Sequence, residues 1–341
     1  MKKILSLILV ILCLFSLISC GEKTKNENKK DAFTPLFRFT VKDGSFADTR
    51  LFYLKESDGF LYLHKGENGG FTGGFVSPTR SVSVENLVKG AGDLSSLTLW
   101  EKEKDLAYLL TENELILLAL KNGGAHATAL PDIVKSSTAL PYNALSFLSQ
   151  SESLVLLHPV DFAQTYVLCD KSGLPDFGTL LAATNEGKKI WYTKKNTDGN
   201  YTGIGFFEYG NNLPLGNRDF AFDSYEKIGS EAVLFTSTED DRTTYRYLNL
   251  ATGEEKTCFA NTPFGTVTCD ESGTILCGTT AKGEGGLITV INLDTGKEKG
   301  SHTIDYGTPG SLALNKDAST LLISFGKGKD QILATLDLTR F

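Results

Sequence analysis

Several things are scarce in this chain, and each scarcity removes a class of function. Only four histidines occur, His64, His126, His158 and His302, and none pairs with another histidine or a carboxylate at metal-ligand spacing. No HExxH, GxSxG or EF-hand loop is present, and the glycine runs Gly69-Gly70, Gly73-Gly74 and Gly283 to Gly286 lack the GK[ST] that a phosphate-cradling loop needs. They read as turns. No catalytic, metal or cofactor constellation is expected from these residues. The basic pairs Lys188-Lys189 and Lys194-Lys195 stand alone among polar neighbours, so no clustered positive surface is available for a nucleic-acid backbone. CxxC is absent too, and with it the zinc ribbon. Amphipathic helical stretches are rare, and methionine is missing after the initiator.

The N-terminus is explicit. Lys2 and Lys3 precede an apolar run, Ile4 to Ile18, that is short of the ~20 residues of a membrane span and gives way at once to a polar segment. Residues 1–19 therefore read as a signal peptide. Leu17-Ile18-Ser19-Cys20 resembles the lipobox of bacterial lipoproteins, which implies that the Cys20 thiol takes a diacylglyceryl group and becomes the first residue of the mature chain. Each buried methylene of an acyl chain contributes ~0.8 kcal/mol, so two or three chains hold a protein firmly on a bilayer. Residues 20–32 then form the lipidated cysteine and a solvated tether, and residues 33–341 the folded body. The resemblance, with Gly21 in place of an Asp after Cys20, implies the outer membrane ahead of the inner. Removing residues 1–19 takes away two lysines and no acid and leaves a net charge of −9.

Four cysteines remain once Cys13 leaves with the signal and Cys20 is lipidated: Cys169, Cys258, Cys269 and Cys277. With Asp270 to Gly273 as a turn, residue 269 is expected opposite 274, not 277, which argues against a bridge between Cys269 and Cys277. Buried free thiols are the favoured expectation. An oxidising compartment keeps a disulfide open, with Cys258 the partner for either.

The body is rich in β signals. Phe264 to Lys299 reads as strands cut by turns at Asp270-Glu271-Ser272-Gly273 and Asp294-Thr295-Gly296, with a Gly-rich loop before Leu287 to Leu293. Glu101 to Lys121 contains good helix formers, yet its runs Leu106 to Leu110 and Leu115 to Leu120 fit a buried hairpin. Repetition organises the whole. Asn249-Leu250-Ala251-Thr252-Gly253-Glu254-Glu255-Lys256 returns as Asn292-Leu293-Asp294-Thr295-Gly296-Lys297-Glu298-Lys299, identical at six of eight positions. Weaker copies lie at Tyr62 to Gly66, Ala119 to Gly123, Val167 to Gly173, Phe206 to Gly210 and Leu336 to Leu338, giving seven units about 44 residues apart. A polar turn between two apolar runs travels with them at Ser149 to Leu157, Thr184 to Tyr192, Asp270 to Leu276 and Asn315 to Ile323.

These units resemble the repeats of bacterial β-propellers of the YVTN and quinoprotein type, which are WD40-like. The resemblance is strongest over 218–341 and implies an all-β propeller of seven blades, with six or eight the neighbouring counts. The seventh unit lacks a fourth strand, and Leu36 to Val41 is expected to fill that place and close the ring. The competing architecture is two β-sandwich domains meeting near residue 175.

Recognition residues are harder to pick. Trp100, Trp191, Tyr192, Tyr201, Phe206 and Phe207 could anchor a partner or stack on a sugar, but a propeller packs most such rings between blades. On a strand, each of the pairs Trp191-Tyr192 and Phe206-Phe207 sends one ring to each face. Glu239-Asp240-Asp241 offers carboxylates for calcium but reads better as a solvated loop tip. The functional expectation is a membrane-anchored, non-catalytic envelope propeller that binds other envelope proteins. The alternatives are a carbohydrate- or ligand-binding surface protein and a propeller hydrolase or lactonase acting on envelope sugars.

Overall fold

The computed structural model describes residues 33–40, 49–65, 71–88, 98–110, 114–129, 138–142, 145–149, 153–157, 165–170, 174, 176–184, 188–208, 214–229, 231–240, 242–261, 263–305, 307–327 and 330–341. Strands joined by short turns account for nearly all of them. The first sheet holds β2 (Thr49–Leu54), β3 (Gly59–Lys65), β4 (Phe71–Ser77) and β5 (Arg80–Val88), and the second β6 (Thr98–Glu103), β7 (Leu106–Leu110), β8 (Glu114–Ala119) and β9 (Gly124–Ala129). The third comprises β10 (Thr138–Tyr142), β11 (Leu145–Ser149), β12 (Ser153–Leu157) and β13 (Thr165–Asp170). The fourth comprises β14 (Phe177–Thr184), β15 (Lys189–Lys195), β16 (Tyr201–Glu208) and β17 (Pro214–Phe222). The fifth has β18 (Ser224–Ile228), β19 (Ala232–Glu239), β20 (Arg242–Asn249) and β21 (Glu255–Ala260). The sixth has β22 (Thr266–Cys269), β23 (Ile275–Lys282), β24 (Gly285–Asn292) and β25 (Lys297–Ile304). The last runs β26 (Thr308–Leu314), β27 (Thr320–Lys327), β28 (Asp330–Asp337) and, outermost, β1 (Phe33–Thr40) from the other end of the chain. Among the described residues there are thus seven four-stranded sheets, and the only helical piece is a single 3₁₀ turn at Leu338–Arg340.

Side-chain caps make the turns repeat. After a first strand, Asp270 folds its carboxylate back to accept from the N–H groups of Thr274 (2.8 Å) and Ile275 (2.5 Å), and Asn315 accepts from Thr320 N–H at 2.8 Å. Gly273 sits there at φ 63°, and a Cβ on it would lie 2.5 Å from the Tyr247 ring, so the position excludes side chains twice over. After a third strand, Asn249 accepts from Ala251 and Thr252 N–H, Asn292 from Thr295 N–H at 2.9 Å, and Asp337 from Thr339 N–H at 3.0 Å. The leucine that follows is buried in four sheets. Its N–H donates to a carbonyl just before the second strand: Leu120 to Asp105, Leu250 to Glu231, Leu293 to Thr274 and Leu338 to Ser319, at 2.8–2.9 Å.

These caps correct the repeat register read from sequence. Tyr62 to Gly66 begins on the second strand of its sheet and Val167 to Gly173 on the fourth, whereas Ala119, Phe206, Asn249, Asn292 and Leu336 all lie on third strands. Ser149 to Leu157 spans the second and third strands, not the first and second. In the fifth, sixth and seventh sheets it is the Asn or Asp cap with its buried leucine that marks the third strand. The Gly-rich stretches also resolve differently. Lys282 pairs with Gly285 across a two-residue turn with Gly283 at φ 62°, and Gly73-Gly74 lies inside β4, where a Cβ on Gly73 would be 1.9 Å from the Tyr62 carbonyl oxygen. Glu101 to Lys121 is the hairpin, with Leu106 opposite Ala119 and Leu110 opposite Leu115.

Apolar side chains fill the layers between successive sheets. Leu61, Phe71 and Phe75 meet Leu109, Ile116 and Leu118; Trp191 and Ile204 meet Val233 and Phe235; Leu234 and Tyr247 meet Leu276 and Ile291. The last sheet meets the first in the same way, with Ala313, Leu322 and Leu333 against Leu51, Phe60 and Tyr62. First strands of neighbouring sheets lie against one another, β18 by β22, β22 by β26 and β26 by β2. Residues 35–341 are one compact unit, so the two-sandwich alternative does not hold.

Candidate functional site

Three of the first strands carry charge: β2 with Arg50, β6 with Glu101, Lys102 and Glu103, and β18 with Glu226 and Lys227. Arg50, on β2, is half-buried, with its guanidinium carbon 5.7 Å from the centre of the Phe52 ring. Glu226 and Lys227 lie side by side on β18 and so leave opposite faces of the strand. Glu226 is exposed to water and Lys227 is half-buried. Desolvation by the surrounding protein raises the Glu226 carboxyl above the usual range, against the opposing pull of the Arg50 charge and then of Lys227. Burial likewise lowers the Lys227 ammonium to about 8, with Glu226 resisting. No hydrogen bond or ion pair partners the side chain of Glu226 or Lys227 among the described residues.

Turns that follow first strands are tied to other sheets. Lys55, beyond β2, pairs with Glu271, beyond β22, at 3.2 Å. The Glu271 carbonyl also accepts from the Tyr247 hydroxyl at 2.6 Å. Glu101 on β6 accepts from the N–H groups of Glu56 and Ser57, each at 2.7 Å, and from the Ser57 hydroxyl. The Tyr53 hydroxyl donates to Asp58 at 3.0 Å, and burial followed by that hydrogen bond pushes it up to about 12. Near the start of β22 and β26 a hollow of about 380 Å³ is lined by Thr266, Thr279, Thr308, Pro309 and Ser311, which offer hydroxyls and small apolar groups.

The residues singled out from sequence fall elsewhere. Cys258, Cys269 and Cys277 are buried free thiols, and burial raises all three, Cys258 to about 12. Cys269 faces Leu276 and Cys277 faces Thr268. The expected partner of Cys269, residue 274, is wrong because the Asp270 cap reaches Thr274 and Ile275 and lengthens the turn. The side chain of Cys169 lies outside the described residues, as do Cys20, His158, Asp241 and the side chain of Trp100.

The aromatic pairs divide between faces. Trp191 packs on Phe206 (centroids 4.8 Å apart), and Tyr192 lies 6.4 Å from Phe207 on the other side. Tyr201 stacks on Phe222 at 4.5 Å. Lys189 caps the first pair from outside, its ammonium 3.7 Å from the Phe206 ring centre, so this basic pair supports packing. His64 Nε2 is 2.9 Å from the Thr72 hydroxyl, His126 is exposed and His302 half-buried. Glu239 and Asp240 are exposed at a hairpin tip, Glu239 pairing with Arg242. No group of metal-ligating side chains gathers among the described residues. Sequence reading missed Arg50 and, far from it in the chain, the adjacent Glu226 and Lys227; the one available signal was charge within a short first strand.

No protein-family profile matches the chain, and no curated protein matches it. Solved structures do. The β-propeller domain of Cps50 (Swd1) from Myceliophteria thermophila superposes with a TM-score of 0.60 at 10% identity, over 89% of this chain and 99% of that one. The fold is a WD40-like β-propeller. The WD40 propeller domain of Doa1 matches with a TM-score of 0.54 at 8% identity, covering 91% of this chain and 98% of its own. An oligogalacturonate lyase in complex with manganese matches with a TM-score of 0.58 at 12% identity, over 90% and 98% respectively. At such identities the likeness carries the propeller architecture and not an activity.

Proposed function

We propose that this protein is a lipid-anchored propeller of the bacterial cell envelope that binds other envelope proteins through its turn faces and has no catalytic role. Each of the seven sheets is read as one blade of a closed ring. The observation that carries the binding role is the set of capped turns: Asn249, Asn292 and Asp337 each fix a polar loop that buries one leucine and leaves the side chains after it exposed. Loops held rigid before contact lose little freedom on binding, which favours affinity. The lipobox-like Leu17-Ile18-Ser19-Cys20 and the apolar-free segment Glu22 to Asp31 support the anchor and its tether, with the outer membrane as destination.

In-cell crosslinking, gentle detergent extraction and mass spectrometry of what stays bound test the reading, alongside labelling with an alkyne fatty acid. The expected result is label on the wild type that Cys20→Ala abolishes, and a reproducible envelope partner. An unlabelled wild type rules out the anchor, and the repeated absence of any partner rules out the scaffold role.

A further inference from the structure

The hairpin of β15 and β16 ends in a tip, residues 196–200, that is exposed throughout. Asn196 organises it. Its side-chain oxygen accepts from the N–H groups of Asp198 at 3.0 Å and Asn200 at 2.9 Å, and its own N–H donates to the Asn200 carbonyl at 2.9 Å. Gly199 turns the chain at φ 84°, and a Cβ built on it would meet nothing within 4 Å, so the space about the tip is open. Asn200 is held by its backbone alone; its carboxamide has no partner among the described residues. Of all the asparagines in the sequence, it is the one with a serine or threonine two places on, Thr202. The Thr202 hydroxyl is likewise without a partner among the described residues, and Thr202 has no register partner on β15 or β17, because both ladders shift there.

We propose that Asn200 is an N-glycosylation acceptor, modified by transfer of an oligosaccharide from a polyprenyl diphosphate carrier. Asn-x-Ser/Thr is the acceptor pattern, and it serves only where the chain is exposed. In the transfer, Asn200 Nδ2 bonds to the anomeric carbon as the bond from that carbon to the diphosphate oxygen breaks. The carrier leaves with that electron pair, and the amide releases one proton. A carboxamide nitrogen is a weak nucleophile because its lone pair is shared with the carbonyl, so a transferase must grip the loop closely. Thr202 gives it a free hydroxyl on one side of the acceptor, and the exposed Asp198 a charge on the other. The bulge at Thr202 lets that grip form without breaking a regular ladder. The tip joins the second and third strands of its sheet and so lies at the opposite end from the third-to-fourth turns. A glycan there leaves the capped turns uncovered. The inference rests on the exported destination proposed above and is independent of any protein partner.

The test is mass spectrometry of the full-length protein purified in detergent from its own cells, reading the tryptic peptide 196–218, with alkyne fatty-acid labelling of the same sample. The wild-type peptide is expected to carry an added glycan mass that fragmentation assigns to Asn200. Asn200→Gln and Thr202→Ala should each lose that mass while melting within a few degrees of the wild type, since neither side chain holds the fold. Asp198→Asn should cut the modified share severalfold, and an unchanged share overturns its part in recognition. An unmodified wild-type peptide, or a glycan that persists in Asn200→Gln, overturns the site. The lipid label tells the failures apart: label without glycan overturns the site alone, and loss of both overturns the destination with it.

Discussion

The Ser311 hydroxyl donates a 2.6 Å hydrogen bond to the carbonyl oxygen of Thr49, across 262 positions of sequence. It ties β26 to β2 at the seam where the last sheet meets the first. Ser311→Ala keeps the backbone and leaves that carbonyl without its hydroxyl partner, an expected loss of about 1 kcal/mol. Thermal unfolding should show a fall in Tm of about 2 °C.

The seam has a second, larger component. β1 supplies the outer strand beside β28, so deleting residues 33–42 should uncover that strand's edge and lower Tm far more than deleting residues 22–31. Equal melting temperatures for the two truncations would remove β1 from the closure.

Lys227 is expected to weaken the fold at neutral pH. Its folded pKa, about 8, lies below the unfolded value of about 10.4, so between these limits the unfolded chain binds more protons and stability rises with pH. The penalty is full below pH 8. Lys227→Met should therefore raise Tm at pH 7, and the gain should shrink towards nothing by about pH 10.5. Melting curves of the two proteins at both pH values decide it.

Cys258, Cys269 and Cys277 behave in the opposite sense. Their folded pKa values are raised, so above about pH 8.5 the unfolded thiols ionise while the folded ones keep their protons. The stability they contribute is complete below that pH and is lost as pH climbs through the folded values, about 12 for Cys258. Iodoacetamide at pH 8 should leave all three unlabelled in the native protein and label them in urea. Rapid native labelling of any of them, read by peptide mass spectrometry, would contradict their burial.

The turn caps can be tested one at a time. Asn292→Ala removes the acceptor of the Thr295 N–H and hydroxyl and should cost about 1 kcal/mol. Gly273→Ala adds a methyl 2.5 Å from the Tyr247 ring at a left-handed backbone position, and about 3 kcal/mol is expected. Urea unfolding of both variants gives the ranking; a milder effect at Gly273 would mean that the Tyr247 ring moves aside.

Much of this architecture is written in short-range chemistry. Alternating apolar positions and Asx-type turns are local, so the strands of 264–304, the hairpin of β7 and β8 and the closing strand are legible without coordinates. Register inside a sheet is less local. Cys269 and Leu276 face each other because one Asp270 side chain reaches two residues further than a simple turn would need. In the first and third sheets the same ambiguity misplaced the repeat, since Tyr62 and Val167 sit in strands that look like the third. The charges of Arg50, Glu226 and Lys227 were illegible for a different reason. Arg50 and Glu226 become neighbours only when the ring closes, and no pattern along the chain distinguishes them from other charged residues in strands.

A sheet assembled from both ends of one polypeptide makes completeness a condition of order. β1 is synthesised long before β28, so the earlier strand must wait, unpaired, until the twenty-six strands between them have followed. Contacts of such long sequence separation form slowly. A product that terminates early cannot finish the circle, and its exposed strand edges mark it as unfinished.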